Sequence, residues 1–204
     1  MSRITATLAL LVVAGALVGT AGGATRLQRH AVSGQGLSLA VPGSWVVADS
    51  RLPAALLERL SRENPRFAPF IQGLAASNAP MKFIALDPDV RDGFATNVNV
   101  VVTAVPASTT FAAYRLGVAA GVRSVLAGQR ISESVVTIHG SRAVRLRYRL
   151  RLRVGRTFTV QTLQYAFLRR ARSVVVTYTT LPHLAVQYQR TFASSAATIR
   201  FSRT

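Results

Sequence analysis

Residues 144–154 read VRLRYRLRLRV, a run in which arginine alternates with apolar residues. Strict alternation over eleven residues predicts a β-strand with one buried face, because successive side chains of a strand point to opposite faces. No α-helix would keep the apolar residues of this run on one side. The other face, called the arginine row below, carries Arg145, Arg147, Arg149, Arg151 and Arg153.

The arginine row limits what can cover this face of a sheet. Neighbouring guanidinium groups would lie roughly 6.6 Å apart, at about 3.3 Å per residue, and would repel each other by only roughly 0.6 kcal/mol in water. Burying these charges unpaired under a dry helix would cost far more. We therefore expect the row to meet solvent, carboxylates or an anionic partner. Two interpretations stay open: a solvated strand face, or a surface that binds anions.

The charges are unevenly distributed along the chain. The 204 residues carry 25 basic and seven acidic side chains, for a formal net charge of +18, and thirteen arginines but no acid follow Glu133. This excess favours anionic partners: an envelope polymer, lipid headgroups or an acidic protein. Nucleic acid is disfavoured, because the alternation turns Tyr148 towards the core and leaves no aromatic platform beside the arginines.

The first 24 residues have the pattern of an export signal. A short basic start, MSR, precedes an uncharged run that ends in Gly-Gly-Ala, which is typical of a secretory signal peptide cleaved after Ala24. If it is not cleaved, the run at 4–24 is long enough to anchor the chain in a bilayer. Either way, we expect the folded part to be secreted or to lie on the extracytoplasmic face of the cell envelope. The lack of cysteine excludes disulfides and lipid attachment through cysteine.

The rest of the chain predicts a linker over 25–35 and a single α+β domain over 36–204. Strands are predicted on both sides of the turn at 42–44, over 81–87 and 97–105, and then four times in series between 134 and 181. Helices are predicted over 53–63 and 67–78, from Ser108 or Thr109 to about Gly128, and after Pro182. This order favours helices packed on an antiparallel sheet of about six strands.

Five segments follow one another in an order typical of a known fold. They are GLSLAVPGSW at 36–45, NVNVVV at 97–102, GSRAVRLRYR at 140–149, TLQYAFLRRARSVVVTYTT at 162–180 and YQRTFASSAATIRF at 188–201. Over 34–202 this order resembles the PsbP-like fold, in particular the LpqN-type secreted proteins of actinobacteria. The resemblance implies an α/β/α sandwich, an envelope location and a binding or accessory role. It carries over no catalytic residue.

No residues are spaced as in a familiar catalytic or metal site. The three histidines, His30, His139 and His183, lack zinc-ligand spacing, and no serine lies in a G-x-S-x-G turn. The loop DPDVRDG at 87–93 departs from the spacing of a calcium-binding loop. Its aspartates are expected to be polar loop residues or to pair with the arginine row. The sequence thus predicts no catalytic residue, no metal and no cofactor.

The leading hypothesis is a non-enzymatic envelope protein that binds an anionic partner through the arginine row. The arginines of the predicted turn RRAR, at the rim of that surface, are Arg169, Arg170 and Arg172. Two alternatives stay open: a hydrolase with its site in the cleft between the long helix and the sheet, and a structural subunit of an envelope complex. A histidine and an acid gathered in a deep pocket would favour the hydrolase.

Overall fold

The structure, a computed structural model, describes residues 26–49, 81–126, 128–154 and 156–202. The predicted signal segment and the helices predicted over 53–63 and 67–78 lie outside these residues. The strands are β1 (Leu27–Val32), β2 (Leu37–Pro42), β3 (Val46–Asp49), β4 (Met81–Leu86), β5 (Asn97–Ala104), β6 (Ile131–Ile138), β7 (Ser141–Val154), β8 (Arg156–Arg169), β9 (Arg172–Thr180) and β10 (Arg200–Phe201). The helices are α1 (Phe111–Val125) and α2 (Ala185–Ala196), and a 3₁₀ turn at Pro182–Leu184 leads into α2.

The strands form two antiparallel sheets. The main sheet has seven strands in the order β3-β4-β5-β9-β8-β7-β6, and the small sheet has the order β1-β2-β10. The predicted α+β class, with helices on an antiparallel sheet, is confirmed, with seven strands where about six were expected. The predicted linker at 25–35 is wrong for Leu27–Val32, which pair with β2. The segment LQRHAV has little alternation of its own, so its strand form depends on this pairing.

Helix α1 packs on one face of the main sheet. It begins after Thr110, whose hydroxyl accepts a hydrogen bond from the Ala113 amide at 3.2 Å and so caps a free N–H of the first turn. The helix starts at Phe111, two or three residues beyond the predicted start at Ser108 or Thr109. The helix buries Tyr114 and Val122 against the apolar side chains of β7, which include Tyr148.

Helix α2 and the small sheet cover the opposite face of the main sheet. Phe192 of α2 and Leu39 of β2 belong to the same buried cluster as Tyr178 of β9. The Ser195 hydroxyl donates to the Ala40 carbonyl at 2.5 Å and lies 3.0 Å from the Tyr178 hydroxyl. Because its one proton goes to Ala40, Ser195 accepts from Tyr178. A chain of hydrogen bonds thus joins the main sheet, α2 and the small sheet.

Strands β7 and β8 extend beyond their neighbours as a two-stranded ribbon. Strand β6 pairs with β7 only as far as Tyr148, and β9 pairs with β8 only from Gln161 onward. Beyond those points, in the part of the chain that the structure describes, the two strands pair only with each other. The α1 face of the ribbon is buried at Leu150 and Phe158, whose ring lies 6.2 Å from that of Phe94.

Candidate anion-binding surface

The arginine row runs from the edge of the core to the open ribbon. It shares its face with Ala143, which is fully buried in the cluster under α2 and the small sheet. Arg145 is half-buried, and Arg147, Arg149 and Arg151 are exposed. Arg153 continues the backbone alternation opposite Thr157. The strand predicted from the alternation is therefore present, and the side chains of its described arginines become exposed as the strand leaves the core.

Polar side chains of the two flanking strands border the row. The Nε group of Arg145 donates to Ser134 Oγ at 3.0 Å, and that of Arg149 donates to Gln161 Oε1 at 3.3 Å. Arg147 has Ser132 as its cross-strand neighbour, and Arg151 has Thr159. These neighbours were not among the predicted site residues. The alternation of Thr157, Thr159 and Gln161 with apolar residues in β8 is the signal that places them beside the arginines.

Carboxylates of the described residues neutralise other cations. Glu133 lies on the α1 face, where Arg115 contacts it at 2.6 Å and Arg123 at 3.2 Å. In the loop at 87–93, Asp89 pairs with Arg91 at 2.7 Å. Among the described side chains of the row, Arg145, Arg147, Arg149 and Arg151 form no salt bridge, so the expected pairing of the loop aspartates with the row does not extend to these four arginines.

The RRAR turn lies at the opposite end of the sheet from the ribbon. Arg151 is opposite Thr159 of β8, ten residues before Arg169, which is roughly 33 Å along an extended strand at about 3.3 Å per residue. The inner end of the row is nearer, because Arg145 is opposite Tyr165, four residues or roughly 13 Å before Arg169. Arg169, Arg170 and Arg172 therefore lie beyond the inner end of the row, away from its exposed arginines, and their role as its rim stays a prediction. Only their shared charge predicted a link to the row, whereas the β8–β9 hairpin places them at the end of the sheet away from the ribbon.

A partly buried carboxyl group lies where the loop at 87–93 meets α2. Asp87 accepts a hydrogen bond from the Tyr188 hydroxyl at 2.6 Å and another from the Asp89 amide at 2.9 Å. Burial nevertheless raises the pKa of Asp87 above its usual value of 3.8, and the negative charge of Asp89 adds to this, while the hydrogen bonds from Tyr188, Asp89 and Trp45 act in the opposite direction. Burial, and then the bond to Asp87, raises the pKa of the Tyr188 hydroxyl.

We predict that Asp87→Asn changes the pH dependence of stability. Because the folded pKa of Asp87 is raised, the folded wild type binds more protons than the unfolded chain in the window above 3.8. The free energy of unfolding of the wild type relative to the variant should therefore be greatest at low pH and should fall as pH rises through that window. Urea unfolding of both proteins between about pH 3 and about pH 7 measures this difference. A difference that is constant over the series would contradict the prediction.

Among the described residues, no histidine is joined to both a carboxylate and a hydroxyl group as a catalytic triad would require. His183 Nε2 is 3.3 Å from Asp92 Oδ2, but both side chains are more than half exposed, and no hydroxyl group of the described residues hydrogen-bonds to His183. His139 Nε2 lies 2.8 Å from the Ala197 carbonyl. His30 is in β1, with its ring 6.0 Å from Phe83, and burial lowers its pKa. The described residues contain no group of three or more potential metal ligands.

No helix among the described residues is long and apolar enough to cross a membrane.

No protein-family model matches the sequence, and no curated protein matches it either. Solved structures do match. CyanoP, the PsbP of Synechocystis sp. PCC 6803, has a TM-score of 0.54 at 16% identity, covering 91% of this chain and 99% of its own.

Two further structures have the same architecture. LpqN, which is involved in cell envelope biogenesis of Mycobacterium tuberculosis, has a TM-score of 0.53 at 14% identity, covering 86% of this chain and 91% of its own. A Pseudomonas aeruginosa protein of unknown function has a TM-score of 0.55 at 15% identity, covering 87% of this chain and 99% of its own. Identities this low establish shared architecture and nothing about activity. The chain therefore has the PsbP-like fold that the order of its segments implied.

Proposed function

We propose that this protein is an exported, non-enzymatic envelope protein that binds an anionic surface through the arginine row. One observation carries the proposal. Arg147, Arg149 and Arg151 are exposed side by side on one strand, and no salt bridge of the described residues neutralises them. The export pattern of the first 24 residues and the likeness to LpqN support an envelope location.

The shape of the row suits an extended partner. Its guanidinium groups repeat at roughly 6.6 Å along the strand, so together they can contact several separate anionic groups, where a pocket would enclose only one. Each guanidinium can bind a phosphate or carboxylate through two parallel hydrogen bonds. Ser132, Ser134 and Gln161 on the flanking strands can add neutral donors. A membrane or polymer rich in phosphate presents such repeated groups.

A salt series tests the proposal. Vesicles made of equal parts phosphatidylglycerol and phosphatidylcholine are titrated against the mature chain in about 0.05 to about 0.5 M salt, a range over which the Debye length falls several-fold. We expect binding at low salt that weakens steeply as salt rises, and no binding to vesicles of phosphatidylcholine alone. Affinity that does not change with salt would reject the proposal. Binding to a soluble acidic protein in place of the vesicles would assign the row to a protein partner.

A further inference from the structure

A pocket lies between the β8–β9 turn and the β1–β2 turn, at the end of the main sheet far from the ribbon. Its volume is about 260 Å³. The three arginines of the RRAR turn line one side, and Gly36 and Ser202 line the other. The two sides belong to different sheets, so the pocket exists only because the small sheet packs against the main one.

The cations at this pocket have no anionic partner within the described part of the protein. No salt bridge there involves Arg169, Arg170 or Arg172. The guanidinium carbon of Arg169 lies 4.9 Å from the centre of the Phe201 ring, a contact that orients the group through its face and leaves its N–H edge available. Three positive charges therefore line a small concave site without internal compensation.

The backbone of the RRAR turn has an unfavourable conformation. Arg170 and Ala171 have φ angles of 46° and 57°. Two-residue hairpin turns require such positive values, and asparagine followed by glycine adopts them best. A residue with a Cβ in the left-handed region costs roughly 1 to 2 kcal/mol. Residues held in such sparsely populated regions concentrate at functional sites. The turn is thus less stable than an Asn-Gly turn would be, and one of its two strained residues, Arg170, lines the pocket.

The opposite wall is closely packed. Gly36 has a φ angle of 57°, and a Cβ added there would lie 2.6 Å from Ser202 Oγ. The Ser202 amide donates to the Gly36 carbonyl at 2.8 Å, and the Ser202 hydroxyl donates to the same oxygen at 3.2 Å. These bonds fix β10 against the β1–β2 turn, so this wall keeps its shape without a ligand.

We propose that this pocket binds a single phosphate group, either free or at the end of a small ester. The arginine fork matches the geometry of phosphate oxygens, and the volume is large enough for a phosphate group but too small for a bilayer surface. The site is separate from the exposed part of the arginine row, since Arg169 lies six residues, or roughly 20 Å, along β8 from Leu163, which is opposite Arg147. Each site can therefore be present without the other.

Phosphate titration of three proteins tests the pocket. They are the wild type, a turn variant (Arg169→Gln, Arg170→Gln, Arg172→Gln) and a row variant (Arg147→Gln, Arg149→Gln, Arg151→Gln), which lose the same charge. Calorimetry or NMR with inorganic phosphate, at constant ionic strength set with chloride, should show saturable binding to the wild type and the row variant. The turn variant should bind at least about tenfold more weakly. Equal binding by the turn variant, or no saturable binding by the wild type, would overturn the proposal.

Two further measurements complete the test. The first distinguishes a loss of phosphate binding from a loss of stability, and the second identifies the source of the phosphate. Arg170→Asn with Ala171→Gly relieves the backbone at the turn, so it should raise the melting temperature while weakening phosphate binding. A protein stabilised in this way that binds phosphate as tightly as the wild type would contradict a role for Arg170. Tighter binding of glycerol 3-phosphate than of inorganic phosphate would indicate an ester as the ligand, and the reverse order would indicate free phosphate.

Discussion

Replacing Arg147, Arg149 and Arg151 with glutamine should weaken binding to phosphatidylglycerol vesicles about a hundredfold. Each arginine near an anionic surface contributes about 1 kcal/mol, and about 3 kcal/mol for the three corresponds to a change of roughly a hundredfold in Kd. The side chains are exposed and form no ion pair among the described residues, so their replacement should not unfold the protein. Vesicle sedimentation at about 0.1 M salt measures the change.

The matched control removes the same charge elsewhere. Arg26 is exposed just before β1, and Arg190 and Arg200 are exposed on α2 and β10. Replacing these three with glutamine lowers the net charge equally but leaves the row intact. If the vesicle affinity depends on the row, this control should retain most of it. Equal losses in both variants would mean that only the overall charge matters, and the row would have no special role.

Ser195→Ala should lower the free energy of unfolding by about 1 to 3 kcal/mol for each buried group that it leaves without a partner. Ser195 is 1% exposed and serves two such groups, because it accepts from the Tyr178 hydroxyl and donates to the Ala40 carbonyl. The alanine side chain can do neither. Urea denaturation of the wild type and the variant measures the difference.

Tyr178→Phe provides the comparison for that experiment. It removes the phenolic hydroxyl but leaves the bond from Ser195 to Ala40, so it should cost less than Ser195→Ala. In the double variant the loss should be smaller than the sum of the two single losses, because the groups belong to one chain of hydrogen bonds. Additive losses would show that the three elements are not coupled through Ser195.

The elements with a strong local pattern were predictable from the sequence. The alternation at 144–154 predicts β7, and the turn at 169–172 joins β8 to β9 as expected. Strand β1 has no such pattern, and it forms because β2 offers it a partner. A local sequence signal therefore identifies strands that bury one face by their own composition, and it misses strands that depend on pairing with a neighbour.

The sequence predicted which types of residue form the candidate sites, but not where these residues lie in the fold. The arginine row was named correctly as a set on one strand, because alternation alone determines which side chains share a face. Its distance from the RRAR turn could not be predicted, since charge gives no information about which end of a sheet a hairpin occupies. The pocket joins Gly36 to Ser202, which are 166 residues apart. Contacts over that separation depend on the packing of the two sheets, which no short motif encodes.

The two-stranded ribbon has a consequence for self-association. Among the described strands, where β6 and β9 stop pairing, β7 and β8 each leave backbone donors and acceptors along an edge that another chain could join. The arginines on this ribbon repel a second copy that approaches strand to strand, because like charges would then lie directly opposite each other. The side chains that we assign to ligand binding thus also help to keep the protein from aggregating through its ribbon.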